Sequence, residues 1–357
     1  MTSIPHPGEQ CARDEEYAGE NPKASACLSD DEIDQLIASN TVFGGQWLER
    51  AGRTQGTHSQ TTRYQDRRDG GQTPIVVKHT NASTPEKAAE SVTREFMALE
   101  TTWKLGGKAL EGSLPKPLMV LPEYGLLVTE MLPGVPWSRV LQRSINYLTA
   151  PFRTADVSEI ARKIGIWLCQ FHQATQQPAL THDSQAFEQE VTLQLEGCVR
   201  RGLSEAEAEQ IRRTAVDGSR RIEGRLLAAA SRHGDFTPRN ILASGDRICV
   251  IDFENFVTVD TIYEDVGKFV AFLALLKGRP GYSKAAIDSV IKSFLGGYGI
   301  AERTLVDLFA LKAATRIFAH RGARRTPRSL MLDPLYVRQL IYLGREHART
   351  LDLASQS

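Results

Sequence analysis

Neither sign of charge dominates this chain: Lys+Arg and Asp+Glu both number 43 in 357 residues. A balanced chain sets up no overall field to draw it onto nucleic acid or an anionic membrane, so any charge argument has to be local. Long apolar runs are missing as well. No stretch approaches the roughly 18 consecutive apolar residues of a membrane span, and the segment from Met1 to Glu20 carries polar and acidic residues where a signal peptide needs an apolar stretch. We therefore expect no membrane span and no export. Cysteine is scarce: Cys11, Cys27, Cys169, Cys198 and Cys249 are odd in number and lack the close spacing of a zinc or redox motif, which points to a reducing, cytoplasmic setting. No internal repeat or low-complexity tract is present, which excludes solenoids and arrays.

What remains is an ordinary globular composition, 41% hydrophobic and 24% charged, enough for one large core or two moderate ones. Residues 1–28, rich in Pro, Gly, Glu and Ser, read as a disordered tail. Ser29-Asp30-Asp31-Glu32 has capping-box form ahead of Ile33, Leu36 and Ile37, which predicts a short helix. From Thr41 to Thr80 the pattern turns to short β-type segments: Val42-Phe43, Trp47-Leu48, Thr61 to Tyr64 and Ile75-Val76-Val77. The last two flank an Asp69-Gly70-Gly71 turn, which argues for antiparallel pairing. Thr84-Pro85-Glu86 opens a helix through about Leu105, with Val92, Phe96 and Leu99 at helical spacing. Leu118 to Leu121 and Leu126 to Met131 read as strands. Beyond Pro133-Gly134 the pattern is mainly helical, most clearly over Ser158 to Thr175, with 201–230 as a charged helical region and one β interruption near 240–253.

That interruption carries the chemistry. It reads His233-Gly234-Asp235-Phe236-Thr237-Pro238-Arg239-Asn240, then two apolar runs separated by Ser244-Gly245-Asp246-Arg247, then Ile251-Asp252-Phe253-Glu254. The turn chemistry predicts a β-hairpin over 241–251 in which paired residue numbers sum to about 491. Asn240 then lies opposite Ile251, next to Asp252, at the end where the loop carrying Asp235 arrives. One carboxylate plus one neutral amide is a suitable partial shell for a nucleotide-bound Mg²⁺, which prefers hard oxygen ligands, and Asp235 is left to orient or deprotonate an attacking hydroxyl.

These residues resemble the aminoglycoside phosphotransferase and choline kinase superfamily, whose catalytic segment reads His-Gly-Asp, then Asn five residues after the Asp, then Ile-Asp-Phe-Glu or similar. The Asp-to-Asn spacing is also that of the protein-kinase catalytic loop, with Gly234 where protein kinases usually carry Arg. The resemblance implies an α+β, protein-kinase-like two-lobed fold: a small antiparallel β-sheet N-lobe with one helix over 29–132, nucleotide-binding, and a larger mainly helical C-lobe over 133–350, with a tail at 351–357. It implies ATP and Mg²⁺ as cofactors and a small-molecule hydroxyl as acceptor. Asp235 becomes the base, Asn240 and Asp252 the metal ligands, and His233 and Gly234 shape the loop. Upstream, Lys78 ends an apolar strand where a kinase-like fold puts the lysine for the α- and β-phosphates, and Glu95 is its ion-pair partner. Glu130-Met131 falls at the interlobe hinge, whose backbone would meet the adenine edge. The phosphate-covering loop falls at Gly52 to Gln60, which lacks a Gly-x-Gly-x-x-Gly pattern; Gly56 and Ser59 are the candidates there. Asp265 resembles a position that buttresses the catalytic loop, His172 reads as a packed core histidine, and Glu254 as an acceptor-facing, metal-facing or plain loop carboxylate.

Arg316 to Arg349 holds eight arginines against Asp333 and Glu346, a local balance of +6. Related enzymes build the acceptor end from this part of the chain. A sugar or a neutral or anionic metabolite is then expected to fit better than a polycationic aminoglycoside or choline, unless the arginines form only a solvated face. An aminoglycoside antibiotic kinase is the nearest alternative. A nucleotide-binding pseudokinase or regulatory scaffold is another, disfavoured because Lys78, Glu95, Asp235, Asn240 and Asp252 are all present. A protein kinase is disfavoured because no Asp-Phe-Gly and Ala-Pro-Glu landmarks follow Asp252.

Overall fold

In the computed structural model, which describes residues 29–39, 48–55, 59–66, 73–300, 302–320 and 327–354, the capping box at Ser29 forms. Ser29 N donates to Glu32 Oε2 at 2.6 Å and Glu32 N donates to Ser29 Oγ at 3.3 Å, opening α1 (Asp30–Ser39). There follow β1 (Leu48–Gln55), β2 (Ser59–Asp66), β3 (Ile75–Thr80), α2 (Pro85–Gly106), β4 (Pro117–Leu121) and β5 (Leu126–Glu130). The five strands make one antiparallel sheet in the order β1-β2-β3-β5-β4. Alternation along the strands sorts its faces. Ile75, Val77, Leu126 and Val128 cluster with Ile33 and Ile37 of α1. Leu127, the register partner of Lys78, belongs instead to the main core with Val92 and Leu99 of α2. Lys78 therefore shares the α2 face of the sheet, and Glu95 lies on the buried stripe of α2 that faces it.

The second part comprises β6 (Val135–Pro136), α3 (Trp137–Ser144), α4 (Ala150–Ala174), β7 (Gln176–Thr181), α5 (Ser184–Val199), α6 (Glu205–Arg220), β8 (Leu226–Arg232), β9 (Ile241–Ser244), β10 (Arg247–Val250), β11 (Val257–Thr261), α7 (Tyr263–Leu276), α8 (Lys284–Tyr298), α9 (Arg303–Ala319) and α10 (Pro327–Ala354). Two three-stranded sheets, β10-β9-β6 and β11-β8-β7, punctuate the helices. The architecture is α+β, and the β9–β10 hairpin has the expected register, Ser244 opposite Arg247 through Ile241 opposite Val250.

Three expectations need correction. Gly52 to Gln55 lie within β1 and Ser59-Gln60 within β2, so most of the expected phosphate-covering loop is strand. Residues 226–230 are not helical: Leu226-Leu227-Ala228-Ala229-Ala230 has helical propensity, but β8 is the central strand between β7 and β11, and pairing on both edges overrides that weak preference. The helical stretch from 133 is accordingly interrupted more than once. Gly56, Val42-Phe43, Trp47, Asp69-Gly70-Gly71 and the 1–28 tail lie outside the described residues, and α10 runs on to Ala354. No helix of the described residues is long and apolar enough to cross a membrane.

Helices α4 and α8 meet backbone to backbone. A Cβ on Gly165 would stand 2.1 Å from Phe294 O, and one on Gly297 2.0 Å from Arg162 O. This approach brings His172 near the end of α4 to Tyr298 at the end of α8. Gly165→Ala should therefore cost about 1–3 kcal/mol of stability through overpacking. Gly296→Ala, at an exposed position of α8 where nothing lies within 4 Å, should instead gain up to about 1 kcal/mol in helix propensity. Denaturant melts of the two variants test the pair; equal shifts would contradict the close approach.

Candidate active site

β8 delivers the chain into the loop His233–Asn240. Gly234 sits at φ +80°, and a Cβ there would stand 2.0 Å from Asn255 O, so only glycine fits. Asp265, in the first turn of α7, accepts His233 N–H on Oδ2 at 2.7 Å and Gly234 N–H on Oδ1 at 3.0 Å. His172 Nε2 stands 3.5 Å from the same Oδ2, and its Nδ1 is 2.8 Å from the Tyr298 hydroxyl. Burial alone would raise the Asp265 pKa, but the hydrogen bonds from His172 and from the His233 amide outweigh it and hold the carboxyl below its ordinary value. Asp265 thus has the buttressing position that the sequence suggested, and His172 is tied into the same chain of contacts. Asp235 N–H donates to His233 Nδ1 at 3.2 Å, which leaves Nε2 as the protonated nitrogen, 3.1 Å from Ile251 O. Burial lowers the pKa of this ring, favouring the neutral form. Phe236, fully buried against Trp167 and Phe269, anchors the middle of the loop.

The hairpin delivers the other groups. Ile251 N–H donates to Asn240 O at 2.9 Å, so these two residues lie opposite each other. Asn240 Nδ2 donates to Asp235 O at 3.0 Å and to Asp235 Oδ2 at 2.8 Å, which leaves Oδ1 as its acceptor for a cation. Asp252 has φ 69°, a left-handed conformation unusual for a non-glycine residue and of the kind that clusters at functional sites. Lys268 of α7 holds the remaining oxygen of Asp235, with Nζ 2.8 Å from Oδ1 and 2.5 Å from Gly234 O. Burial would raise the Asp235 pKa, but the Lys268 ammonium, helped by the hydrogen bond from Asn240, holds it below its ordinary value. Sequence reasoning misses Lys268. It follows Asp265 by three residues on one helix and so shares that face, which is the signal that points to it.

From the sheet, Lys78 Nζ reaches Glu95 Oε2 at 2.7 Å, Asp252 Oδ1 at 2.9 Å and Glu254 Oε2 at 3.3 Å. Burial would lower the Lys78 pKa, but the three carboxylates outweigh it and hold the ammonium above its ordinary value. Burial pushes the Glu95 carboxyl up to about 7, against the pull of Lys78. Glu254 also accepts from Ser91 Oγ of α2 at 2.7 Å, so it faces the sheet side rather than an acceptor. Glu95, Asp252 and Glu254 bring ligand oxygens within 4.8 Å of one another, but Lys78 lies among them. The hard-oxygen pair that suits a divalent ion is Asp252 with Asn240 Oδ1. Glu130 N–H and Met131 N–H are engaged by Lys116 O and Pro74 O, at 2.9 and 2.8 Å, so these residues can offer a base only carbonyl oxygens from the backbone. Ser59 opens β2 opposite Thr80, two residues past Lys78.

The basic C-terminal segment is partly neutralised. Arg316 lies 3.2 Å from Glu190, and neighbouring Lys312 sits between Glu190 at 2.6 Å and Glu264 at 2.7 Å. Arg349 pairs with Glu346 at 2.8 Å. Arg321, Arg324 and Arg325 lie outside the described residues, and so does the side chain of Arg328.

Among solved structures, the chain is similar to a glucosamine kinase in complex with glucosamine, ADP and inorganic phosphate. The TM-score is 0.61 at 18% identity, covering 92% of this chain and 87% of the other. It is similar to the APH(2″)-IIa of a streptomycin–ATP ternary complex, with a TM-score of 0.53 at 15% identity over 87% and 97% of the two chains. A choline/ethanolamine kinase family protein from Mesorhizobium loti gives a TM-score of 0.51 at 15% identity over 90% and 99%. At these identities the likeness is one of fold, the two-lobed protein-kinase-like fold. No curated protein sequence matches the chain significantly. The profile of the phosphotransferase enzyme family matches residues 54–326. That span takes in Lys78, Glu95, the loop of Asp235 and Asn240, and Asp252, and on it the chain belongs to the phosphotransferase enzyme family.

Proposed function

We propose that this phosphotransferase moves the γ-phosphoryl group of ATP onto a hydroxyl of a small molecule, a sugar or a neutral or anionic metabolite. The observation that carries the reading is the meeting of Lys78 from β3 with Asp252 from the end of the hairpin, beside the Asp235–Asn240 pair. Asp235, held ionised, orients the acceptor hydroxyl and takes its proton as the new P–O bond forms. Lys78, braced by Glu95, exchanges its contact with Asp252 for phosphate oxygens and so frees that carboxylate. Asn240 and Asp252 would hold Mg²⁺, which when bound neutralises phosphate charge. Glu130 and Met131 present carbonyls to the base, and Ser59 lies on the phosphate side. The division into nucleotide-binding residues 29–132 and catalytic, acceptor-binding residues 133–350 belongs to the same proposal. So does a cytoplasmic setting, which the free thiols of Cys169, Cys198 and Cys249 support.

The acceptor class is supported by the +6 balance of the Arg316–Arg349 segment, which the pairing of Arg316 with Glu190 only partly offsets. A basic segment at the acceptor end favours a sugar or an anion over a polycation.

Asp235→Asn should lower kcat by about 10²–10⁴ while nucleotide affinity stays close to wild type. Turnover of a verified substrate at near wild-type rate would remove Asp235 from the role of base. For Asp252→Ala the expected loss is in binding: calorimetric titration of ATP with and without Mg²⁺ should find that Mg²⁺ no longer improves affinity, and a preserved Mg²⁺ effect would exclude Asp252 as ligand. An ATP-consumption screen should favour sugars and phosphorylated or carboxylated metabolites over kanamycin-like compounds. Efficient phosphorylation of the latter would reverse the acceptor assignment in favour of an antibiotic kinase and leave the kinase reading standing.

A further inference from the structure

Lys268 approaches Asp235 from α7, on the helical side of the site, whereas Lys78 enters from the sheet. Its side chain is 18% exposed, and Asp235 Oδ1 and Gly234 O take two of its three N–H donors. The third is left for a ligand. We propose that Lys268 is a catalytic residue whose remaining N–H donates to an oxygen of the γ-phosphoryl group as that group crosses to the acceptor; this rests on the kinase reading above.

An acceptor hydroxyl bonded to the Asp235 carboxylate would stand about 2.7 Å from it, with the phosphorus it attacks just beyond. A cation 2.8 Å from the same carboxylate is near enough for its third N–H to reach an equatorial oxygen of the moving group. In the transfer, a lone pair of the acceptor oxygen forms the new bond to phosphorus. The bond from phosphorus to the bridging oxygen breaks, its electron pair leaves on ADP, and the hydroxyl proton passes to Asp235. Lys268 keeps its protons and offsets charge on the equatorial oxygens, an interaction stronger in the transition state than in the bound substrate.

The test compares the full-length wild type with Lys268→Met, Lys268→Gln and Lys268→Arg. Affinity is measured by calorimetry for MgADP alone and for MgADP with aluminium fluoride, which mimics the planar phosphoryl group. MgADP affinity should stay within about twofold in all three, since the contacts of Lys268 are to Asp235 and Gly234 and not to Lys78 or Asp252. Lys268→Met and Lys268→Gln should lose at least about tenfold of the affinity that fluoride adds, and Lys268→Arg should keep most of it. If Lys268→Met fails to fold because the Gly234 carbonyl loses its donor, Lys268→Gln, which retains a donor without the charge, decides the matter. An undiminished fluoride gain in Lys268→Gln would overturn the assignment and reduce Lys268 to a support for the loop. Failure of the wild type to bind MgADP would overturn the kinase reading itself, a different outcome.

Discussion

The buried carboxylate of Asp265 accepts the amide hydrogens of His233 and Gly234 and lies beside His172, which in turn meets Tyr298. Leaving a buried polar group without its donors costs about 1–3 kcal/mol, and more when the group is charged, so the loop cannot leave this carboxylate without a large penalty. Everything downstream of Gly234 inherits that fixed start. The left-handed turn at Gly234 points Asp235 N–H at His233 Nδ1, and Phe236 then drives into the core between Trp167 and Phe269. The close glycine contact of α4 with α8 belongs to the same chain of dependence, because it sets the distance between His172 and Tyr298. Packing far from the chemistry thereby governs where the Asp235 carboxylate can stand.

Local chemistry made much of this legible. The hairpin register follows from one turn, Ser244 to Arg247, and it sets Asn240 opposite Ile251. The Lys78–Glu95 pair was legible only through the family resemblance, since by themselves the two residues read as a surface lysine and a solvated helical glutamate; the structure buries Glu95 and sets Lys78 inside β3. What escaped depended on partners distant in sequence. β8 looks helical by composition, and only its flanking strands β7 and β11 make it a strand. Glu254 could not be oriented without Ser91, 163 positions away, and Lys268 could not be linked to Asp235 without the turn of α7 that Asp265 anchors. Such placements are set by tertiary packing rather than by propensity.

The charges of the site divide into two groups with different balances. On the helical side, Asp235 and Lys268 form a neutral pair. On the sheet side, one ammonium, Lys78, faces the three carboxyl groups of Glu95, Asp252 and Glu254. Burial pushes the Glu95 carboxyl up to about 7, with Lys78 opposing the rise and Asp252 and Glu254 adding to it. A surplus of negative charge in a half-buried cleft is unfavourable by itself and is relieved by a divalent cation. An anionic polyphosphate alone would meet repulsion from the same carboxylates, so the charge balance favours a nucleotide that arrives with its cation. Asp252, with its left-handed backbone, is the most exposed of the three carboxylates. Its carboxylate meets Lys78 but has 37% of its side chain exposed, and Lys78 has Glu95 and Glu254 beside it as well, so a cation could take the Asp252 carboxylate without leaving either charge buried and unpaired.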